Sequence, residues 1–426
     1  MKLDKNIKLI LKILQENGEG YIVGGFIRDT LLGLEPKDCD FVTDIEYDKL
    51  LNIFKEYYPK EIGKHFGIIQ IKIEGVHYEI AKMRQDKGIP KNRKEQEIEF
   101  TKNIYDDLKR RDFTINAIAY DGKEFYYGDE NSKKDIEEKI LRFVGMCKRR
   151  IEEDPLRILR YFRFLSTKDL KYLIEDIKEI SKYSQLIKEL SSERVREELN
   201  KIMVGKNAHI ILEILANEGI LEIIIPEWKE YRGDKEKSDD IFHFLSEADS
   251  DLIVRLVILF HNLEQMVKKI MIRLRYDKKS IELVYKLIKY QVIPKELDEV
   301  IFIKKMMNQL EYEDIQRYFK VLKAKKKANN LEQIERLEKI FQNIVEKQLP
   351  VKIKDLKITG KDLLENGIVA GKTVGEILNY LLEKVLEYPE YNSKEKLLEL
   401  AHNYLDMKLV KKNFKIKTEV TTQVYN

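Results

Sequence analysis

The chain has 426 residues, 43% hydrophobic and 36% charged, with a net charge of +4 and two cysteines, Cys39 and Cys147. That length gives room for two to four domains with ample core. Two cysteines exclude a disulfide framework and a cysteine-held zinc site, and the mild positive charge permits a nucleic-acid partner without demanding one. No apolar run reaches membrane-spanning length. Lys2, Asp4, Lys5 and Lys8 interrupt what would be the apolar core of a signal peptide. The expectation is a cytoplasmic protein with no membrane partner; oligomeric state is left open.

Tyr21-Ile22-Val23 reads as a short buried strand, followed at once by Gly24 and Gly25. An amphipathic helix starts at about Phe26 and carries Arg28 and Asp29. After a turn at Pro36 come Asp38-Cys39-Asp40 and then Phe41-Val42. Residues i and i+2 of a strand share a face, so Asp38 and Asp40 are predicted to point together. Paired carboxylates make a poor core and a good magnesium site. A glycine turn opening a helix presents backbone N–H groups to a phosphate. Taken alone, Gly-Gly marks many tight turns and Asp-x-Asp is often surface. In this order they point to phosphoryl or nucleotidyl transfer.

Further strands are predicted at Cys39–Val42, Gly67–Ile73 and His77–Ala81, with weaker ones at Ile98–Phe100 and Leu141–Val144. From about Arg149 the pattern turns helical. Pro155–Leu165, Glu193–Met203, Ala208–Glu218, Leu252–Asn262 and Val374–Glu387 all show apolar i, i+3, i+4 spacing. The fold class is therefore α+β, an N-terminal head with a mixed sheet followed by an all-helical remainder. Thr359-Gly360-Lys361-Asp362 and Thr373-Val374-Gly375-Glu376 read as capping boxes, and Asn392 as the cap of the last long helix. Breaks fall at Asn329-Asn330 and, better, at Gln348-Leu349-Pro350. Lys411 to Asn426 loses helical periodicity and reads as a mobile tail.

Two further constellations carry chemistry. Lys109-Arg110-Arg111-Asp112-Phe113-Thr114-Ile115-Asn116-Ala117 is either a charged helix start or a functional motif. In Glu153-Asp154-Pro155-Leu156-Arg157-Ile158-Leu159-Arg160-Tyr161-Phe162-Arg163, Asp154 is a natural N-cap and Pro155 fits the first helical position. Arg157, Arg160 and Arg163 form a slowly drifting cationic stripe, with Leu156, Leu159 and Phe162 facing inward. A solvated basic face is the plain alternative. Against it stand three arginines in a lysine-rich chain, since arginine's planar fork suits base edges and phosphates.

The order GG-x-x-RD, D-x-D, RRDFTINA and EDxxR resembles the nucleotidyltransferase superfamily of DNA polymerase β. Within it, the pattern is similar to the class II tRNA nucleotidyltransferases, the bacterial CCA-adding enzymes and poly(A) polymerases. The resemblance runs from about residue 20 to 405. It implies a polymerase β-like catalytic head over residues 1–147, a neck with nucleotide-selecting helices over 148–204, a helical body over 205–349 and a tRNA-binding helical tail over 350–426.

The implied chemistry is template-independent addition of CCA to tRNA from CTP and ATP. Asp38 and Asp40 would hold two Mg²⁺ ions, and Glu79 falls where the family supplies a third acidic residue, with a salt-bridged glutamate as the equal alternative. Gly25 and Arg28 would grip the triphosphate. Arg111 would contact the nucleotide, with Asp112 and Asn116 holding the local fold and the sugar-binding edge. Asp154 and Arg157 would select the base, Glu153 would orient Arg157, and Arg160 and Arg163 would contact the nucleotide. Arg84 and Asp86 match the start of a flexible loop that departs from the family pattern at Pro90–Lys94. Gly63-Lys64-His65-Phe66-Gly67 looks like the family's second sheet hairpin, and Ser191–Leu199 like its neck motif. The runners-up are an A-adding or poly(A)-adding enzyme and, from another class, an RNA-binding scaffold with an inactive head. No His precedes an Asp anywhere in the chain, so His261 reads as a packed helix histidine. Lys325-Lys326-Lys327 and Lys411-Lys412 read as solvated charge, with RNA backbone contact the minority reading.

Overall fold

The structure, a computed structural model, describes residues 1–87, 97–231, 235–291, 298–325 and 330–408. The expectations for Pro90–Lys94, Lys326-Lys327, Asn329 and Lys411–Asn426 lie outside the described residues. The chain forms two compact units, Met1–Ser246 with Lys268–Asp277, and Glu247–Val267 with Lys278–Asn426.

The first unit opens with helix α1 (Lys5–Asn17), whose Ile7, Ile10, Leu11 and Leu14 fall on one buried face. Asp4 caps it by accepting from the Ile7 N–H at 2.8 Å. Strand β1 (Gly20–Val23) is buried throughout, and α2 (Gly25–Leu31) follows directly. Next come β2 (Asp40–Thr43), α3 (Tyr47–Ile53), β3 (Lys60–Gly63), β4 (Ile68–Ile73) and β5 (Val76–Lys82). A two-stranded ribbon of β6 (Arg84–Lys87) and β7 (Glu97–Phe100) stands apart from the main sheet. After α4 (Ile104–Lys109) come β8 (Ile118–Tyr120), β9 (Phe125–Tyr127) and α5 (Ser132–Glu138).

The main sheet has seven strands in the order β3-β4-β5-β2-β1-β8-β9. Only β2 and β5 pair in parallel, with Asp40 opposite Glu79, so the predicted mixed sheet is what forms. Every strand predicted is present within a few residues, though the sixth, Leu141–Val144, shrinks to β10 (Ile140–Leu141). The short strands β3, β8 and β9 have no alternation long enough to be read from sequence.

Beyond the sheet run α6 (Cys147–Glu153), α7 (Leu156–Thr167), α8 (Ile174–Tyr183) and α9 (Ser192–Met203), with β11 (Lys171–Tyr172) pairing β10 in parallel. Helix α7 lays Leu156, Leu159 and Phe162 inward as its spacing predicts, and Tyr161 stacks on Phe143 with centroids 5.3 Å apart. Gly205 allows the chain to pass against α7. A Cβ there would stand only 2.0 Å from Ser166 Oγ.

The second unit is helical throughout its described residues, including Leu252–Phe260, Lys278–Tyr290, Glu299–Gln309, Tyr312–Ala324, Leu331–Glu346, Gly360–Glu365, Lys372–Glu387 and 394–408. Thr359 and Asp362 form the predicted capping box. Two other cap expectations are corrected. The helix expected to start after Thr373 starts at Lys372, with Gly371 before it and no side-chain cap. Asn392 accepts instead from the Lys357 N–H at 2.9 Å, and Ser393 Oγ takes the Lys396 N–H at 3.3 Å. Among the described residues no helix is long and apolar enough to cross a membrane. Cys39 is buried and Cys147 partly so, both as free thiols.

Candidate active site

A cleft of about 380 Å³ opens where the Gly24–Gly25 turn, the start of β2, the end of α4 and the break between α6 and α7 meet. Gly24 sits at φ 71°, a region open to glycine, and delivers the chain from β1 into α2. A Cβ there would lie 3.3 Å from Arg111 Nη1 and 3.8 Å from Asp40 Oδ2, so the turn, the arginine and the carboxylate share one corner.

Asp40 is the first residue of β2 and half-buried. Its carboxyl pKa is pushed up to about 6, by burial first and then by the charge of Glu79, with Arg111 pulling down and Asp38 adding to the rise. Asp38 is exposed in the loop before the strand. The same-face argument from strand geometry therefore does not apply to it. The β1–β2 ladder ends at the Val23–Asp40 pair because β1 turns away at Gly24, leaving Asp38 without a partner strand. Glu79 is exposed on β5. Among the described residues, no protein donor hydrogen-bonds to the carboxylates of Asp38, Asp40 or Glu79, and Glu79 forms no ion pair.

Asp107 holds the arginines of the second motif. It is fully buried on α4 and accepts from Arg110 Nε and Nη2 at 2.9 and 2.6 Å on one oxygen. Its other oxygen takes Arg111 Nε and Nη2 at 3.3 and 2.9 Å. Burial pushes its pKa up, but the two guanidiniums outweigh burial and hold the carboxyl below its usual range. Sequence reading missed this residue. The signal was its i, i+3 and i, i+4 spacing to the two arginines. Asp112, also buried, accepts from Asn116 Nδ2 at 2.8 Å and from Arg160 Nε and Nη2 at 2.8 and 2.5 Å. Arg28 in turn donates to Asn116 Oδ1 and to Asp29, both at 2.8 Å, so Asp112 and Asn116 tie the glycine turn's helix to α7.

The Asp154-Pro155 break separates α6 from α7. Asp154 Oδ1 accepts the Leu156 N–H at 3.1 Å, serving the helix start one residue earlier than Pro155. Both its oxygens also accept from Arg194 Nη2 of α9, at 3.1 and 3.0 Å. Arg157 donates to Glu153 Oε2 at 2.7 Å, to the Arg150 carbonyl at 3.1 Å and to the Arg110 carbonyl at 3.0 Å. Glu153 and Arg157 thus form an ion pair across the break. Asp154 and Arg157 both line the cleft, as do Gly25, Arg28, Arg84, Asp86, Arg111, Asp112, Asn116 and Arg160. Arg163 does not. It donates to the buried Glu198 of α9 at 3.0 Å and packs over Phe164.

The family model described as the poly(A) polymerase head domain matches residues 20–142, and one for tRNA nucleotidyltransferase domain 2 matches residues 245–401. The CCA-adding enzyme of Ligilactobacillus salivarius is 30% identical over 414 residues, 95% of this chain and 97% of that protein. That of Bacillus subtilis is 31% identical over 402 residues, 92% and 96% of the two chains. The chain belongs to the class II tRNA nucleotidyltransferases.

The fold is that of the Bacillus stearothermophilus CCA-adding enzyme solved with CTP, with TM-score 0.74 and 22% identity over 96% of this chain and all of that one. The Thermotoga maritima CCA-adding enzyme solved with tRNA aligns with TM-score 0.63 and 22% identity, over 95% of this chain and 96% of that one. In this nucleotidyltransferase the donor set at the start of β2 fits a hard divalent cation. It is all carboxylate oxygen, without protein donors among the described residues.

Proposed function

We propose that this chain builds the CCA end of tRNA from CTP and ATP without a nucleic-acid template. One observation carries the reading: Asp154 and Arg157 line one cleft with their side chains fixed from behind, by Arg194 and by Glu153. A fixed carboxylate accepts from the exocyclic amino group of cytosine or adenine, and a fixed guanidinium donates to the neighbouring ring nitrogen. Guanine and uracil present the reverse polarity and would leave buried groups unpaired. The names of the relatives, CCA-adding enzymes, support the same reading.

Within that cleft Gly25 and Arg28 take the triphosphate side with Arg111 and Arg160. Arg111 stands beside both Gly24 and Asp40, where negative charge builds as the α-phosphate is attacked. Asp38 and Asp40 are the residues that would hold magnesium, with Glu79 contributing charge from the next strand. The chemistry magnesium supplies there when bound is a lowered pKa for the attacking hydroxyl and neutralised charge at the phosphates. Arg84 and Asp86 stand at the root of the loop on the cleft's edge. The tail from residue 350 onward grips the tRNA by shape and backbone, away from the chemistry. On this reading the protein works where tRNA matures, in the cytoplasm.

The test is incorporation of each labelled nucleoside triphosphate into tRNA lacking its three terminal nucleotides. Addition of two C and one A is expected. Addition of A only, and only to tRNA already ending in CC, would make it an A-adding enzyme. Long A tails would make it a poly(A) polymerase, and no transfer at all would overturn the reading in favour of a scaffold.

A further inference from the structure

We infer that Phe66 is the stacking platform for the 3′-terminal base of the RNA strand being extended, an inference that rests on the nucleotidyl-transfer reading above. Phe66 belongs to the Gly63–Gly67 segment between β3 and β4, to which the proposed function gives no role. Of the side chains lining the cleft, all but Phe66 and Leu156 are polar or charged, apart from the glycines. Phe66 is the one aromatic ring there among the described residues. Half-exposed, it costs burial energy in a charged cleft and offers what an RNA base needs, a flat apolar face.

The ring is held in place. The Arg84 guanidinium lies over it at 4.4 Å from the centroid, and His65 meets it edge-on at 4.8 Å between centroids. The next residue, Gly67, sits at φ 66°, and its carbonyl accepts the Lys82 N–H at 2.9 Å. A Cβ on Gly67 would stand 2.9 Å from Lys82 Cβ and 3.1 Å from the Phe100 ring, so that backbone path admits only glycine. A turn pinned this tightly presents Phe66 in one position.

The sheet order says which base it serves. The phosphate-side turn at Gly24 follows β1, on one flank of Asp40. Strands β5 and then β4 lie on its other flank, and Phe66 comes just before β4. In-line displacement puts the attacking hydroxyl and the departing pyrophosphate on opposite sides of the reacting phosphorus. Triphosphate on the β1 side places the attacking strand on the β4 side, beside Phe66. The incoming base is already read by Asp154 and Arg157, so the ring is left for the strand end.

The test is a two-by-two cycle. C addition is measured for the full chain and for Phe66→Leu, each on tRNA whose 3′-terminal nucleotide carries its base or is abasic. Stacking on one ring predicts that Phe66→Leu lowers kcat/KM for the RNA by roughly 5- to 150-fold. Removing the base from the RNA should cost the wild type a similar factor, and the two losses together should not add. KM for CTP should stay within about twofold, and Phe66→Trp should restore RNA utilisation. Additive losses, or a loss confined to KM for CTP, would overturn the platform while leaving the transferase reading intact. A wild type that adds no nucleotide to tRNA lacking its three terminal nucleotides, with the base of its last nucleotide present, would overturn the function itself. Far-ultraviolet circular dichroism and melting of each variant separate unfolding from lost stacking, and if Phe66→Leu is unfolded, Phe66→Met takes its place in the cycle.

Discussion

Arg194, on α9, gives one amino group to both carboxylate oxygens of Asp154 at 3.1 and 3.0 Å, across 40 residues of sequence. Both side chains are 26% exposed, so as an ion pair this contact adds little to stability, roughly 0.2–1 kcal/mol. Its larger effect is to set the orientation of the carboxylate at the cleft. Arg194→Ala should therefore leave the melting temperature nearly unchanged and lower kcat/KM for both CTP and ATP about tenfold. Unchanged nucleotide kinetics in a folded Arg194→Ala protein would show that Asp154 holds its position without help.

Asp154→Asn keeps an acceptor for the Leu156 N–H and replaces one carboxylate oxygen by a donor. Discrimination of CTP over UTP should fall about ten- to a hundredfold, since a hydrogen bond to a charged group is worth roughly 1.5–3 kcal/mol. Competition assays with paired nucleotides read this directly. Selectivity equal to wild type would rule out Asp154 as the base-reading group.

Asp40→Ala should abolish addition of both C and A while RNA binding persists, because it removes the carboxylate beside Arg111 and Gly24. Asp38→Ala should do the same despite its exposed position if it completes the cation's ligands. Gel-shift and single-turnover measurements on the same samples separate binding from transfer. Near-normal turnover in either variant would remove that residue from the metal site.

Arg163→Ala should behave differently from its neighbours on the stripe. It strips the buried Glu198 of its 3.0 Å partner, leaving Lys201 at 3.2 Å as compensation. Removing one partner of a buried pair costs about 3–5 kcal/mol, less where another cation remains. Melting temperature should drop while KM for CTP and ATP holds. A raised KM with unchanged stability would return Arg163 to the nucleotide site.

Asp176, on α8, has a pKa raised to about 6, by burial first, with Arg142 opposing and Glu175 and Asp135 adding. Its Oδ2 is buried without a hydrogen-bond partner. The folded protein thus holds this proton more tightly than the unfolded chain. Between about pH 4 and 6 stability falls as pH rises, and above 6 the full penalty of the ionised form applies. Asp176→Asn should stabilise the protein by about 1–3 kcal/mol at pH 7.5, with the gain vanishing below pH 4. Arg142 keeps Asp135 at 2.9 Å in that variant. Denaturant titrations at both pH values decide it, and a gain that does not depend on pH would place the effect elsewhere.

Much of the site was legible because its chemistry is local in sequence. The strand, glycine pair and helix at Tyr21–Leu31 are one continuous supersecondary unit, and Glu153, Asp154 and Arg157 fall within five residues of sequence around the α6–α7 break. Periodicity likewise marked α7, α9 and two helices of the second unit, Leu252–Phe260 and Lys372–Glu387, because an amphipathic helix repeats its pattern over several turns.

Only the tertiary structure decided which of several equivalent residues face the cleft. Arg157, Arg160 and Arg163 look alike in sequence. Three residues fall short of a full helical turn by about 60°, so the stripe rotates by about 120° from first to last. That rotation carries Arg163 away from the cleft and onto Glu198. Asp38 leaves the strand because the partner strand β1 ends opposite Asp40, a limit set by pairing and not by Asp38 itself. Asp107, Arg194 and Phe66 reach the site from separate helices and a turn. Sequence determines what each side chain can do; the packing of distant elements determines which of them meet.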